Sequence, residues 1–355
     1  MKKHTGTLLL LALWLGLSLW AWVKPADAVS GAERRPLAQF PAFSEHFSED
    51  FAEYAADQFP MRQPLRTLKA LFSRWCLGRS DNNGIYVENG SAAQILYPLD
   101  ESSLENAADR FEELYDLYLT DSSQILFAPV PDKGAYLGDS HLPLPMEELT
   151  QALKTRLSWA EFVDLSSLLT AYHYYRTDTH WRQERLIPVA ETICRAFGLT
   201  PFTDFTAATA LEEFRGVYSG QSALPLSPDR MEYLTWPGWE DCTFTTVDFG
   251  PGELYAFSKL EGRDPYDFFL SGGIAIGTIE NPHAATDRRL VIFRDSFGSS
   301  LAPLLVPNYR SITLVDTRYI APELVGDYVN FQNADILFLY SALLLNDSNT
   351  LRPAP

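Results

Sequence analysis

The chain has 355 residues, 46% of them hydrophobic and 13% aromatic, with a formal net charge of -18. That length is ample for a large buried core, by the ~150-residue prior in about two domains or one elaborated α/β domain, and the composition is that of a folding chain. The acidic balance and the lack of any Lys/Arg block exclude a nucleic-acid partner, whose phosphates would be repelled.

Lys2 and Lys3 precede an uncharged, Leu- and Trp-rich run from Thr5 to Val23, closed by Lys24-Pro25. This run is close to the ~20 residues that span a bilayer, and the flanking lysines favour a cytoplasmic N-terminus. Ala26-Asp27-Ala28 also fits a small-x-small cleavage site, so residues 1–28 read as a removed signal peptide or an uncleaved anchor. In either case the body lies outside the cytoplasmic membrane. Residues 29–42 are polar and Pro-containing and read as a linker, and the folded body is expected over 43–350.

Phe43, Phe47, Phe51 and Tyr54 are spaced by four, four and three, which predicts an amphipathic helix. A second helix is expected over 64–75, after Asp57-Gln58-Phe59-Pro60-Met61-Arg62. The stretch 82–90, with Asn-Gly at both ends, reads as hairpin chemistry. Further helices are expected over 103–119, 146–157, 166–174 and 183–197, and strands at 125–130 and 162–164. A β-rich insertion is expected at about 214–285, opening with a polar loop. Apolar runs at 290–295, 311–316 and 334–340 then complete the pattern of strands alternating with helices, the signature of a mainly parallel sheet covered on both faces. Catalytic groups in such folds sit at the carboxyl ends of the strands.

Ser296 follows one such run, in Arg294-Asp295-Ser296-Phe297-Gly298, immediately before a helix-like stretch. A serine at a strand-to-helix turn exposes its hydroxyl beside unpaired backbone N–H groups, which suits a nucleophile; the same position also suits a plain helix cap. A serine nucleophile needs a base, best held by a carboxylate. Of six histidines, His180 stands two residues after Asp178 in a polar turn, where both side chains can face one pocket, although Asp178 could instead cap the helix that follows. His173 reads as structural. Cys76, Cys194 and Cys242 lack any C-x-x-C pair, so neither a disulfide framework nor a metal site is implied, and no cofactor is expected.

Asp178-Thr179-His180-Trp181 together with Arg294-Asp295-Ser296-Phe297-Gly298 resembles the DHHW family of bacterial extracytoplasmic proteins, which are related to the SGNH-hydrolase-like part of the alginate O-acetyltransferase group. Asp57 to Arg62, Asn82-Asn83-Gly84-Ile85-Tyr86, Pro131-Asp132-Lys133, Gly216-Val217-Tyr218 and Val315-Asp316-Thr317-Arg318-Tyr319 fall in the expected order, and Thr179 departs from the family's motif. The resemblance implies an SGNH-like three-layer α/β/α fold with Asp178 orienting His180, His180 as base and Ser296 as nucleophile. It also implies acyl transfer to or from an exported or cell-surface polysaccharide, as an O-acetyltransferase or acetylesterase, with a membrane-bound acyltransferase as a further partner. The N–H groups of Ser296 and Gly216 would form the oxyanion hole, and Trp181, Tyr218, Arg294 and Tyr319 would border the substrate cleft. From a different class comes the alternative of an inactive module of the same fold that binds or scaffolds a cell-wall polymer.

Overall fold

A computed structural model describes residues 4–120 and 123–351, and Lys2 and Lys3 lie outside them. The chain divides into a smaller unit, Met1–Ile85 with Val217–Leu226, and a larger one, Tyr86–Gly216 with Ser227–Pro355.

The smaller unit begins with α1 (Thr5–Val23), 19 residues of mean hydropathy 1.8 with none buried. Its length and composition suit a membrane span or a signal sequence. Next, β1 (Val29–Ser30) and β2 (Arg35–Pro36) pair antiparallel within the stretch expected to be a linker. Two helices follow, α2 (Phe47–Asp57) and α3 (Arg62–Trp75). Asp57 explains why a charged motif lies between them: buried, it accepts bonds of 2.6 and 2.8 Å from the Arg35 guanidinium and one of 2.9 Å from the Ala38 N–H. Arg62 pairs with Asp57 and Glu33, so the turn is held by charge-assisted bonds. The unit is completed by β3 (Asp81–Asn82) and α7 (Val217–Ser222), the latter inside a stretch predicted as loop. Asn82 donates to the Ser222 carbonyl at 2.7 Å, and Arg66 to that of Gly220 at 2.9 Å.

The larger unit is entered within β4 (Ile85–Glu88), which neighbours β5 (Ser91–Gln94) across Asn89-Gly90. Both turn residues have positive φ, 50° and 77°, the conformation that an Asn-Gly hairpin supplies. Then come α4 (Glu101–Tyr118), β6 (Ile125–Val130), α5 (Met146–Arg156), β7 (Glu161–Phe162) and α6 (Ile187–Ala196). A two-stranded pair, β8 (Thr206–Phe214) with β9 (Asp229–Thr235), precedes β10 (Thr243–Thr246), β11 (Gly250–Gly252) and β12 (Ile276–Glu280). The chain ends in β13 (Arg289–Arg294), α8 (Phe297–Leu305), β14 (Ser311–Val315), β15 (Ala334–Ser341) and α9 (Ala342–Leu345).

Eight strands form one sheet in the order β11-β10-β12-β14-β13-β15-β6-β7. The five from β14 to β7 run parallel, and β12, β10 and β11 continue the sheet antiparallel. Three strands of the expected β-rich insertion thus extend the main sheet. Successive strand side chains face opposite ways, and the core divides accordingly. Leu290 and Ile292 of β13 pack with Val189 and Ile193 of α6 and Leu301 and Leu305 of α8. Val291 and Phe293 pack with Phe111 and Leu114 of α4 and Leu149 and Leu153 of α5. The result is a mixed α/β fold with a mainly parallel central sheet between two helical layers.

Two predicted helices differ from expectation. Residues 166–174 form separate 3-10 turns, Ser166–Leu168 and Ala171–His173, because Leu169 and Thr170 are extended and the Thr170 N–H donates to His173 Nδ1 at 3.0 Å, closing a local turn. Helix α6 starts at Ile187 after a 3-10 turn at Gln183–Arg185, since Pro188 is tolerated only in a first turn.

Candidate active site

β13 ends at Arg294 between β14 and β15, and the chain turns at Asp295 directly into α8. Asp295 holds this turn from both sides. Its Oδ1 accepts the Phe297 N–H at 3.0 Å, and its Oδ2 the Ser341 N–H at 2.8 Å, tying the carboxyl ends of β13 and β15 together. Ser296, only partly buried, is thereby presented at the carboxyl edge of the sheet where α8 begins.

Asp178 and His180 reach the same place on a reversed loop. Tyr174 and Trp181 bridge antiparallel, and the Tyr175 N–H donates to the His180 carbonyl at 3.1 Å, so residues 174–181 fold back on themselves. Inside the loop lies Lys133, fully buried, whose Nζ donates to the carbonyls of Tyr175 at 2.8 Å and Asp178 at 2.6 Å. Burial pulls this lysine down to about 8. Asp229 of β9 accepts the N–H groups of Arg176 (3.0 Å) and Thr177 (2.9 Å) and the Thr177 hydroxyl (2.7 Å). With the backbone fixed, the His180 N–H donates to Asp178 Oδ1 at 3.1 Å, and the carboxylate meets the ring edge.

His180 Nδ1–H donates to Asp178 Oδ1 at 2.6 Å, and the Ser296 hydroxyl donates to His180 Nε2 at 2.7 Å. An acid, an imidazole and a hydroxyl thus form one continuous chain. Asp178 is fully buried and His180 nearly so. Tyr266 stacks on the imidazole, ring centroids 3.7 Å apart and planes within 8°, and its hydroxyl donates to Ser300 Oγ at 2.9 Å, which fixes the ring plane. A cleft of about 410 Å³ opens beside Ser296; Thr179, Arg318, Gln94 and Asn346 contribute its polar wall and Leu344 an apolar one. Arg318 is held by a bidentate pair with buried Asp316, 2.9 and 2.6 Å.

The other residues singled out from sequence fall elsewhere. Gly216 is not positioned as an oxyanion donor, because its N–H donates to Thr177 Oγ1 at 2.9 Å. Its missing side chain matters instead: a Cβ there would lie 2.2 Å from that of Asp178 and 2.4 Å from the Thr177 carbonyl oxygen. Trp181 is wholly enclosed, its Nε1–H directed at the Phe297 carbonyl (3.1 Å) and Ser300 Oγ (2.9 Å), so it supports α8 and offers no face to a ligand. Arg294 is likewise buried, beside Asp316 and Ser299, away from the cleft wall. Tyr319 is half exposed under the Arg318 guanidinium. Tyr218 belongs to α7 of the smaller unit and is buried. Asp229 and Tyr266 stand in no motif of the sequence, whereas Lys133 and Arg318 stand in two of them, Pro131-Asp132-Lys133 and Val315 to Tyr319. Among the described residues no cluster of ligating side chains suits a metal.

No protein-family model matches the sequence, and no curated protein matches it. Solved structures do resemble the fold. A DHHW family protein from Eubacterium siraeum aligns with a TM-score of 0.58 at 21% identity, over 77% of this chain and 97% of its own. PatB1 of Bacillus cereus aligns with a TM-score of 0.60 at 15% identity, over 76% and 98%. A second PatB1 structure, with a sulfonyl adduct, gives 0.58 at 17%, over 74% and 95%. The chain thus shares the fold of these proteins.

Proposed function

We propose that the protein is a serine-dependent acyl transferase or esterase acting on ester-linked acetyl groups of cell-surface or exported polysaccharide, outside the cytoplasmic membrane. The observation that carries this reading is the unbroken chain from Asp178 through His180 to Ser296, with bonds of 2.6 and 2.7 Å, opening on a polar cleft. The carboxylate fixes the tautomer that leaves Nε2 unprotonated to face the hydroxyl, and it stabilises the imidazolium once formed.

In the reaction, His180 Nε2 takes the Ser296 proton as Oγ bonds to the ester carbonyl carbon. The Ser296 backbone N–H, at the start of α8, is the donor for the oxyanion. The C–O bond to the departing alcohol then breaks, and that alcohol takes the proton from His180. Water or a sugar hydroxyl then gives its proton to the same imidazole as its oxygen bonds to the acetyl carbon, and the bond from that carbon to Ser296 Oγ breaks as His180 returns the proton to Oγ. Water makes the protein an esterase, and a sugar makes it a transferase. Helix α1, as anchor or export signal, suits an acceptor outside the cell, and a membrane-embedded acyltransferase is the partner that would deliver the acetyl group.

The test is acetyl transfer from an activated ester to a panel of cell-surface oligosaccharides, with water as the competing acceptor. Turnover by the wild type and none by Ser296→Ala is expected. An intact wild type that neither hydrolyses nor transfers, yet retains polymer in a binding assay, would mean a polymer-binding module.

A further inference from the structure

Helix α3 has its polarity turned inside out. Met61, at its N-cap, and Leu65, Leu68, Phe72 and Trp75 follow one another by four, three, four and three residues, which places them along one side. That side faces outward: Leu65 is 41%, Leu68 64%, Phe72 54% and Trp75 75% exposed. The inward side is polar, with Arg62 and Arg66 pairing with Glu33. A stripe of this size, with Trp at one end, is not a surface that a helix leaves in water without a partner.

The chain's own course identifies the partner. Asp27 lies four residues beyond the end of α1, within about 14 Å of it even if fully extended. Its backbone makes two bonds of 2.8 Å with the Gln58 carboxamide: the Asp27 N–H donates to Oε1, and Nε2 donates to the Asp27 carbonyl. Gln58 caps α2, and α3 begins four residues later. The apolar stripe is therefore fastened within a few residues of the only described helix that is long and apolar enough to cross a bilayer. The charges agree with this placement. Lys69 and Arg79 lie exposed on and just beyond α3 and suit anionic headgroups, whereas α2 exposes Glu49, Asp50 and Glu53.

We propose that the outward stripe of α3 rests on the lipid surface through which α1 passes, as an interfacial helix that fixes the smaller unit against the membrane. The inference rests on α1 remaining in the chain as an anchor. It is independent of the chemistry at Ser296. An interfacial helix of this kind sits about 5–10 Å into the headgroup and acyl boundary.

Cys76, exposed at the C-terminal cap of α3 beside Trp75, provides the probe. Full-length protein with Cys242→Ser is labelled at Cys76 with bimane and reconstituted in vesicles of phosphatidylcholine and phosphatidylglycerol. Nitroxide placed near the lipid headgroup is expected to quench the label, and aqueous iodide to quench it several-fold less than in a Leu68→Ser, Phe72→Ser variant. That variant should lose lipid quenching yet stay in the alkali-washed membrane pellet through α1, with an unchanged circular dichroism spectrum. A wild-type label open to iodide and unquenched by lipid overturns the proposal. So does shielding that disappears as protein is diluted in lipid, which would indicate a second copy, or shielding that requires another added protein. Release of the wild type from the washed pellet overturns the anchored arrangement itself, and the pellet reads this separately from the quenching.

Discussion

Ser296 owes its position to Asp295, which bonds the Phe297 N–H and clips β13 to β15, and its hydrogen-bond partner His180 to a loop more than a hundred residues earlier in the chain. Three substitutions probe this arrangement. Asp178→Asn keeps the shape but forfeits the tautomer, and turnover of an activated ester should fall by roughly 10³–10⁴ with the melting temperature little changed. Activity near wild type in that variant would remove Asp178 from the reaction. Gly216→Ala drives a methyl group into the Asp178 Cβ and the Thr177 carbonyl, 2.2 and 2.4 Å away. Backbone must move to admit it, at a cost of about 1–3 kcal/mol or more in denaturant unfolding. Lys133→Met removes the bonds that Nζ gives to the buried carbonyls of Tyr175 and Asp178, at about 1–3 kcal/mol per group. Its activity should fall further than its stability explains, because the loop that aims Asp178 is released; an activity loss no greater than the unfolded fraction would reduce Lys133 to a structural role. At this scale Asp178, His180 and Ser296 were legible, since two short motifs name them. Asp229 and Tyr266 were not, because each acts from a distant segment and nothing in its own neighbourhood marks the contact, and the motif that holds Lys133 does not say that its Nζ enters the loop of Asp178.

At the scale of elements, the buried parallel strands β6, β13, β14 and β15 are readable as apolar runs. Nothing in the sequence of Thr243–Thr246 or Ile276–Glu280 states that these strands join the same sheet, because the antiparallel pairings of β10 with β12 and of β12 with β14 are long-range choices. The period at 166–174 misleads for a different reason. Nine residues are too few for a helical pattern to outweigh a local turn made by Thr170 and His173. The alternation in β13 also supplies a prediction about layers. Phe293 fills the face covered by α4 and α5, so Phe293→Ala should lower stability by about 3–5 kcal/mol while leaving the intrinsic rate of the folded fraction unaltered. A changed rate at constant folded fraction would show that this core layer also tunes the turn at Ser296.

For the whole molecule, the division into two units was not visible in composition, because the smaller unit recruits Val217–Leu226 from far along the chain. Its stability should carry its own pH signature. The hydrogen bonds from Arg35 hold the Asp57 carboxyl down to about 2, against 3.8 ordinarily. A depressed carboxylate stabilises the fold above its unfolded value, and that contribution fades as the pH falls from about 4 towards 2. Amide exchange in α2 and α3 should therefore quicken over that window, and Asp57→Asn should flatten the response; an unchanged profile in the variant would show that other carboxylates govern it. The proposed activity depends on Ser296 being an activated nucleophile. The direct measurement is labelling with a fluorophosphonate, followed by mass spectrometry of the modified peptide. One adduct per chain on the peptide containing Ser296, lost in Ser296→Ala and strongly slowed in His180→Ala, is the expected result. Labelling that survives Ser296→Ala, or a folded wild type that takes no label, would contradict it.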